Sequence, residues 1–67
     1  PTTPDAAPAI GSKWLIASSG STVTVYDVER FGRGGMVDFR YKSGDVESVN
    51  LAQWNSGIRS GAVKAVS

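Results

Sequence analysis

Two stretches of the chain alternate apolar and polar residues with a period of two, and this alternation constrains the fold more than any other feature. Residues 22–30 read TVTVYDVER and residues 36–42 read MVDFRYK. Both are rich in β-branched or aromatic residues, which is typical of strands with one buried face. We recognise no stretch of ten or more positions with the period of an amphipathic helix. The chain is therefore predicted to be all-β.

Shorter apolar segments complete a set of five predicted strands. They are KWLIA at 13–17, VESVNL at 46–51 and AVKAV at 62–66. Turn-forming residues separate the strands, with SSGS at 18–21 and SGD at 43–45. The segment AQWNSG at 52–57 is too short for an α-helix and is predicted to form one 3₁₀ turn. Five short strands in so small a domain favour a barrel, because closure removes exposed strand edges.

The predicted core consists of the apolar residues on the inward side of each strand, together with two tryptophans. A chain of 67 residues buries little surface, so such a core must be compact. Its members are Trp14, Ile16, Val23, Val25, Val28, Val37, Phe39, Tyr41, Val49, Leu51, Trp54 and Val63.

The first ten residues, PTTPDAAPAI, contain all three prolines and no periodic apolar pattern. Residues 1–10 are therefore predicted to be a flexible tail or linker, and residues 11–67 the barrel domain. Two origins fit this tail. The chain is either a small protein that lost its initiator methionine, or a domain cut from a longer protein.

The composition excludes several kinds of chemistry. The sequence contains no cysteine and no histidine, so it offers no disulfide, no thiolate metal site and no histidine base. We accordingly predict no catalytic residue, no cofactor and no metal site, and we expect no small-molecule substrate. A net charge of +1 gives no strong field for anions. With no membrane-spanning run or signal pattern, a cytoplasmic protein with no membrane partner is expected.

The order of motifs resembles the SH3-like small β-barrels found in bacterial, plasmid and phage proteins. The motifs are GSKW, TVTVYDV, GMVDFRY, SGD and VESVNLAQW, which together run from Gly11 to Trp54. This resemblance implies a five-stranded SH3-like barrel and a phage or plasmid accessory protein that acts on a bacterial host factor. Plasmid reductases of this kind carry a Val-Gln-Ile-Tyr motif. The matching place, 49–52, reads VNLA, so their activity is not expected here.

The leading hypothesis is a non-catalytic module that acts through protein–protein contact, and self-association as a homodimer is one version of it. Phe31 is the best contact candidate, because it lies in the glycine-rich segment FGRGG outside the alternating pattern. Whether Phe31 folds back on the barrel or is exposed stays open, and so does the direction of Tyr26. The predicted partner-binding residues are Phe31, Arg30, Arg33, Tyr26, Arg40 and Trp54.

Two other functions remain as alternatives. The first is binding of single-stranded DNA or RNA through the region 30–42, with Phe31 or Tyr26 as a stacking residue. Its cations would be Arg30, Arg33, Arg40, Lys42 and Arg59. We expect acidic neighbours to weaken this patch, for example through a cross-strand pair between Arg40 and Asp27. The second alternative is an oligomeric enzyme with a shared symmetric site.

Overall fold

The computed structural model describes residues 7–32 and 34–66, and within them five strands and one helix. The elements in chain order are β1 Lys13–Ile16, β2 Ser21–Phe31, β3 Gly34–Tyr41, β4 Val46–Asn50, α1 Leu51–Ser60 and β5 Val63–Val66. The predicted all-β fold with five strands is confirmed, and each predicted strand overlaps an observed one.

All five strands belong to one antiparallel sheet with the order β4-β3-β2-β1-β5. Tight turns connect β1 to β2 and β3 to β4. Gly20 and Gly44 have positive φ angles of 71° and 100° there, which glycine adopts without steric cost. The two edge strands, β4 and β5, both contact α1. The sheet therefore curls around its core, and the helix fills the gap between its edges.

A β-bulge at Tyr26 changes which residues of β2 face inward. Val25 lies opposite Phe39 on β3, but the next aligned pair is Asp27 with Asp38. Tyr26 is thus the extra residue of a bulge, which adds one residue to one strand only. Because of this shift Val28 faces Val37 and packs against the core, three residues after Val25 instead of two or four.

The core contains every residue predicted for it. Six side chains are buried, and these are Val23, Val25, Val37, Phe39, Leu51 and Trp54. The other predicted members are partly buried and pack against these six. Trp54 makes an edge-to-face contact with Trp14, with 5.2 Å between the ring centroids, and a tilted contact with Phe39 at 5.8 Å. Such geometries are favoured by the quadrupoles of aromatic rings.

The 3₁₀ turn predicted at 52–57 is wrong, because α1 is an α-helix of ten residues. Its signals are present in the sequence. Asn50 caps the first turn by accepting a hydrogen bond from the Gln53 amide at 2.7 Å, and Gly61 ends the helix with φ of 84°. Gly57 obscures the pattern, but a Cβ there would lie 3.0 Å from Val63 Cγ2, so glycine permits close packing on β5. No helix in the described residues is long and apolar enough to span a membrane.

The predicted tail falls mainly on residues 1–6, which lie outside the described residues. Of the remaining tail, Ala7 is partly buried and packs against the core. The Gly11 amide donates a 2.7 Å hydrogen bond to the Val25 carbonyl, and the Val25 amide donates to the Ser12 carbonyl at 2.9 Å. These bonds extend the sheet beside β2 before β1 begins.

The β2–β3 hairpin depends on a close backbone approach at Gly35. A Cβ at this position would lie 2.3 Å from the Glu29 carbonyl oxygen, a distance that no methyl group tolerates. The neighbouring Gly34 has more room, since the nearest atom to its Cβ position, the Phe31 oxygen, is 4.0 Å away. The two adjacent glycines therefore have different roles.

Substitution of Gly35 by alanine is expected to lower the unfolding free energy by about 2 kcal/mol, because the backbone must move to accept the methyl group. Gly34→Ala is the matched control and should leave stability unchanged or raise it slightly. Urea unfolding followed by tryptophan fluorescence measures both. Equal effects of the two substitutions would contradict the close approach at Gly35.

The side chain of Tyr41 is tied to β4 by a hydrogen bond. Its hydroxyl donates to Glu47 Oε2 at 2.8 Å. This bond to a carboxylate raises the pKa of the Tyr41 phenol above its usual value of 10.0, and partial burial and the negative charge of Glu47 add to the effect. The bond therefore stabilises the fold below the pKa of an unfolded tyrosine, and that stabilisation is lost as pH rises through the pKa of Tyr41.

A variant with Tyr26→Phe retains Tyr41 as its single tyrosine, so its phenolate absorbance at 295 nm reports one group. We expect a titration midpoint above 10.0 that falls when Glu47→Ala is added. Glu29→Ala in the same background is the control and should leave the midpoint in place. A midpoint insensitive to Glu47 would contradict the hydrogen bond.

Candidate interaction surface

The outer face of the sheet brings together polar residues from β1, β2 and β3. On β2, Thr22 and Thr24 alternate with the buried Val23 and Val25, so their side chains point outward. Lys13 on β1 is aligned with Thr24, and Thr24 is aligned with Arg40 on β3. A central strand with short hydroxyl side chains therefore lies between two strands with long cationic ones.

This arrangement forms a depression of about 300 Å³, which we call the basic groove. Its lining residues are Lys13, Thr22, Thr24, Arg40, Tyr41 and Lys42. None of them is a carboxylate, and in the described part of the chain no carboxylate pairs with these three cations. The groove consequently has cationic walls and a floor of hydroxyl groups.

The basic groove continues toward the β1–β2 turn. A second depression of about 430 Å³ shares Thr22, Tyr41 and Lys42 with it and extends over Gly20, Ser21 and Ser43. The added residues are small or carry hydroxyl groups. The extension thus lengthens the polar floor along β2, and at its Ser43 side the serine hydroxyl donates a 3.2 Å hydrogen bond to the carboxylate of Asp45.

Tyr26 borders the other end of the basic groove. The bulge leaves its side chain 41% exposed, which answers the question of its direction. The guanidinium carbon of Arg40 lies 5.3 Å from the centre of the Tyr26 ring, within the range of a cation–π contact. The contact places an aromatic surface next to the groove cations.

Beyond Tyr26 the same face of the hairpin becomes negative. Carboxylate oxygens of Asp27, Glu29 and Asp38 lie within 4.8 Å of one another, and we call these residues the acidic cluster. Asp38 also accepts a hydrogen bond from the Ser48 hydroxyl, and Asp27 Oδ1 accepts one from the Val28 amide at 3.0 Å. No ion pair to the cluster is found among residues 7–32 and 34–66.

The expected neutralising pair between Arg40 and Asp27 is wrong. The bulge sets Asp27 opposite Asp38, whereas Arg40 is aligned with Thr24. Like charges directly opposite each other destabilise a sheet, so the register concentrates negative charge where the sequence suggested compensation. The basic groove and the acidic cluster therefore occupy separate halves of one face.

The hairpin tip, which we define as residues 30–32 and 34–35, extends beyond the neighbouring strands. β1 pairs with β2 only as far as Thr24, and β4 pairs with β3 only as far as Met36. Phe31 is the last residue of β2, not part of a loop, and it is 57% exposed. Its partner across the hairpin is Gly34, which offers no side chain to cover the ring. Phe31 is thus exposed and does not fold back on the barrel.

The structure divides the predicted partner-binding residues into separate groups. Arg30 and Phe31 lie at the hairpin tip, about five residues and roughly 16 Å along the strand from Tyr26. Arg33 lies outside the described residues. Trp54 is only 2% exposed, so its prediction as a partner-binding residue is wrong, because α1 turns its ring into the core.

The alternative set of phosphate-binding cations is also divided. Arg40 and Lys42 line the basic groove, but Arg30 belongs to the hairpin tip and Arg59 to the last turn of α1. Lys13 was missed. The outward position of Lys13 beside the inward Trp14 was readable from the alternation, but its proximity to Arg40 depends on strand register.

Comparisons of this chain with protein-family models, with curated proteins and with solved structures find no match.

Replacement of Glu29 by glutamine is expected to stabilise the protein by about 0.2–1 kcal/mol at low ionic strength, because it removes one of three adjacent negative charges. Chemical unfolding of both proteins at low and at molar NaCl measures the difference. Salt screens exposed charges, so the gain should shrink at high salt. A loss of stability, or a gain independent of salt, would contradict repulsion within the acidic cluster.

Proposed function

We propose that the protein is a non-catalytic binding module that acts through protein–protein contact at the hairpin tip. The exposed Phe31 ring carries this proposal. In a sheet, cross-strand neighbours usually pack against an aromatic residue. Phe31 has a glycine opposite it, and at this point only β2 and β3 lie side by side. Nothing in the packing of the core requires an aromatic residue at this position, since Phe31 is not part of the core cluster.

The energetics of Phe31 suit a contact residue. Burial of its remaining apolar surface in a partner is worth about 2 kcal/mol, a typical contribution from an aromatic anchor in an interface. Arg30 is exposed beside it, and arginine is also enriched among residues that dominate binding energy. A partner with an apolar pocket and a polar rim suits this tip.

A non-catalytic role agrees with the placement of the ionisable groups. In the described part of the chain, the acidic cluster is the one place where three acidic side chains lie close together. It lies on the outer face of the hairpin, where its members are exposed or half-buried, and not in a water-excluding cavity. Catalytic acids and bases depend on such cavities for their altered acidity.

Two kinds of partner are compatible with this proposal. In the first, the tip contacts a second copy of the chain. In the second, it contacts a bacterial host factor, and the protein is a cytoplasmic accessory protein of a phage or plasmid. The resemblance of the motif order to small barrels of such proteins supports the second version.

The substitution Phe31→Ala is expected to weaken partner binding at least tenfold and to change the unfolding free energy by less than about 0.5 kcal/mol. Val46→Ala is the matched control, since Val46 is 56% exposed but belongs to the edge strand β4. Sedimentation velocity over a range of concentrations tests self-association. Photocrosslinking from benzoylphenylalanine at position 31 or 46 in a bacterial lysate tests a host factor.

The proposal expects a crosslink from position 31 that excess wild-type protein competes away and Phe31→Ala does not. Concentration-dependent association that Phe31→Ala abolishes would support the version with a second copy. Equal crosslinking from positions 31 and 46, or no association and no competed crosslink, would overturn the proposed contact.

A further inference from the structure

The basic groove is a separate feature that the hairpin-tip contact does not use. Lys13 and Arg40 come from the strands on either side of β2, so strand register, not sequence proximity, brings these two cations together. Lys13 and Arg40 are aligned with Thr24, and Lys42 lies two residues after Arg40, in the turn that follows β3. Three positive charges therefore line one depression on the outer face.

The groove chemistry fits an anion with several oxygen acceptors. Lysine and arginine donate charge-assisted hydrogen bonds, and the planar guanidinium of Arg40 suits paired oxygens of a phosphate. The hydroxyls of Thr22 and Thr24 add neutral donors on the floor. The open extension over Gly20 and Ser21 allows such a ligand to continue along β2, away from the Asp45 carboxylate that accepts a hydrogen bond from Ser43.

The exposed ring of Tyr26 indicates which class of polyanion fits the basic groove. A nucleic acid presents flat bases as well as phosphates, and bases stack on aromatic rings next to a cationic path for the backbone. An acidic peptide has no comparable flat group for each charge. The exposed Tyr26 ring, held beside Arg40 at 5.3 Å, therefore favours a nucleic acid.

We propose that the basic groove binds a single-stranded nucleic acid, with Lys13, Arg40 and Lys42 on phosphates and Tyr26 against a base. This site does not depend on the hairpin-tip contact, and either proposal can fail without the other. The acidic cluster limits the site at one end, because Asp27 and Asp38 repel a phosphate path that passes Tyr26. The bound strand accordingly runs from Tyr26 toward the β1–β2 turn.

The test is a titration of the isotopically labelled 67-residue chain with a short oligothymidine, followed by two-dimensional NMR. Amide signals of the groove residues and Tyr26 should shift, and those of the hairpin tip should not. If three phosphate contacts form, raising salt from 50 to 200 mM should weaken binding about 20-fold through counterion release.

Three substitutions make the test specific. Lys42→Gln should weaken binding about eightfold at 50 mM salt and reduce the salt dependence by one contact. Lys64→Gln, on β5 and outside the groove lining, is the matched control and should change affinity less than twofold. Tyr26→Phe should retain affinity, whereas Tyr26→Leu should lose about tenfold through the missing stacking.

Neutralisation of the acidic cluster by Glu29→Gln and Asp38→Asn together should strengthen binding, a gain that a purely structural role of these residues does not produce.

Several outcomes would overturn the proposal. They are shifts confined to residues outside the groove, unchanged affinity in Lys42→Gln, and inorganic phosphate that binds the groove as tightly as the oligonucleotide. A polyglutamate peptide that binds as tightly as oligothymidine would assign the groove to acidic peptides instead.

Discussion

The packing of Trp54 against the inside of the sheet is the contact on which the rest of the fold depends. The sheet ends in two edge strands that do not pair with each other, and α1 places the Trp54 ring between them, against Trp14 and Phe39. The indole N–H has no hydrogen-bond partner among the described residues. An unsatisfied buried donor costs about 1–3 kcal/mol, so the apolar contacts of this ring must exceed that cost.

Alternation of apolar and polar residues was sufficient to predict most of the strand residues in the core, because burial of one strand face follows directly from a period of two. It was not sufficient for α1. There the apolar positions Leu51 and Trp54 are followed by Gly57, and the helix signal is carried by the cap residues Asn50 and Gly61. The cap residues therefore identify this helix where the spacing of apolar residues does not.

The surface could be predicted only in part, because strand register decides which outward residues become neighbours. Alternation identifies Lys13, Thr24 and Arg40 as outward, but nothing local says that they form one row. Alternation alone does not reveal the bulge at Tyr26. In the structure it returns Val28 to the core and leaves Tyr26 outside, and it brings Asp27 beside Asp38.

The two-stranded construction of the hairpin tip has a consequence for how the molecule moves. Among the described residues, 30–31 and 34–35 pair only with each other, whereas the adjoining part of β3 has strands on both sides. Segments with few neighbours open at a lower free energy than the core, without unfolding of the whole domain. The tip can therefore adjust its shape to a partner at little cost to the sheet. The contacts with that partner must then offset the entropy lost when the tip becomes ordered.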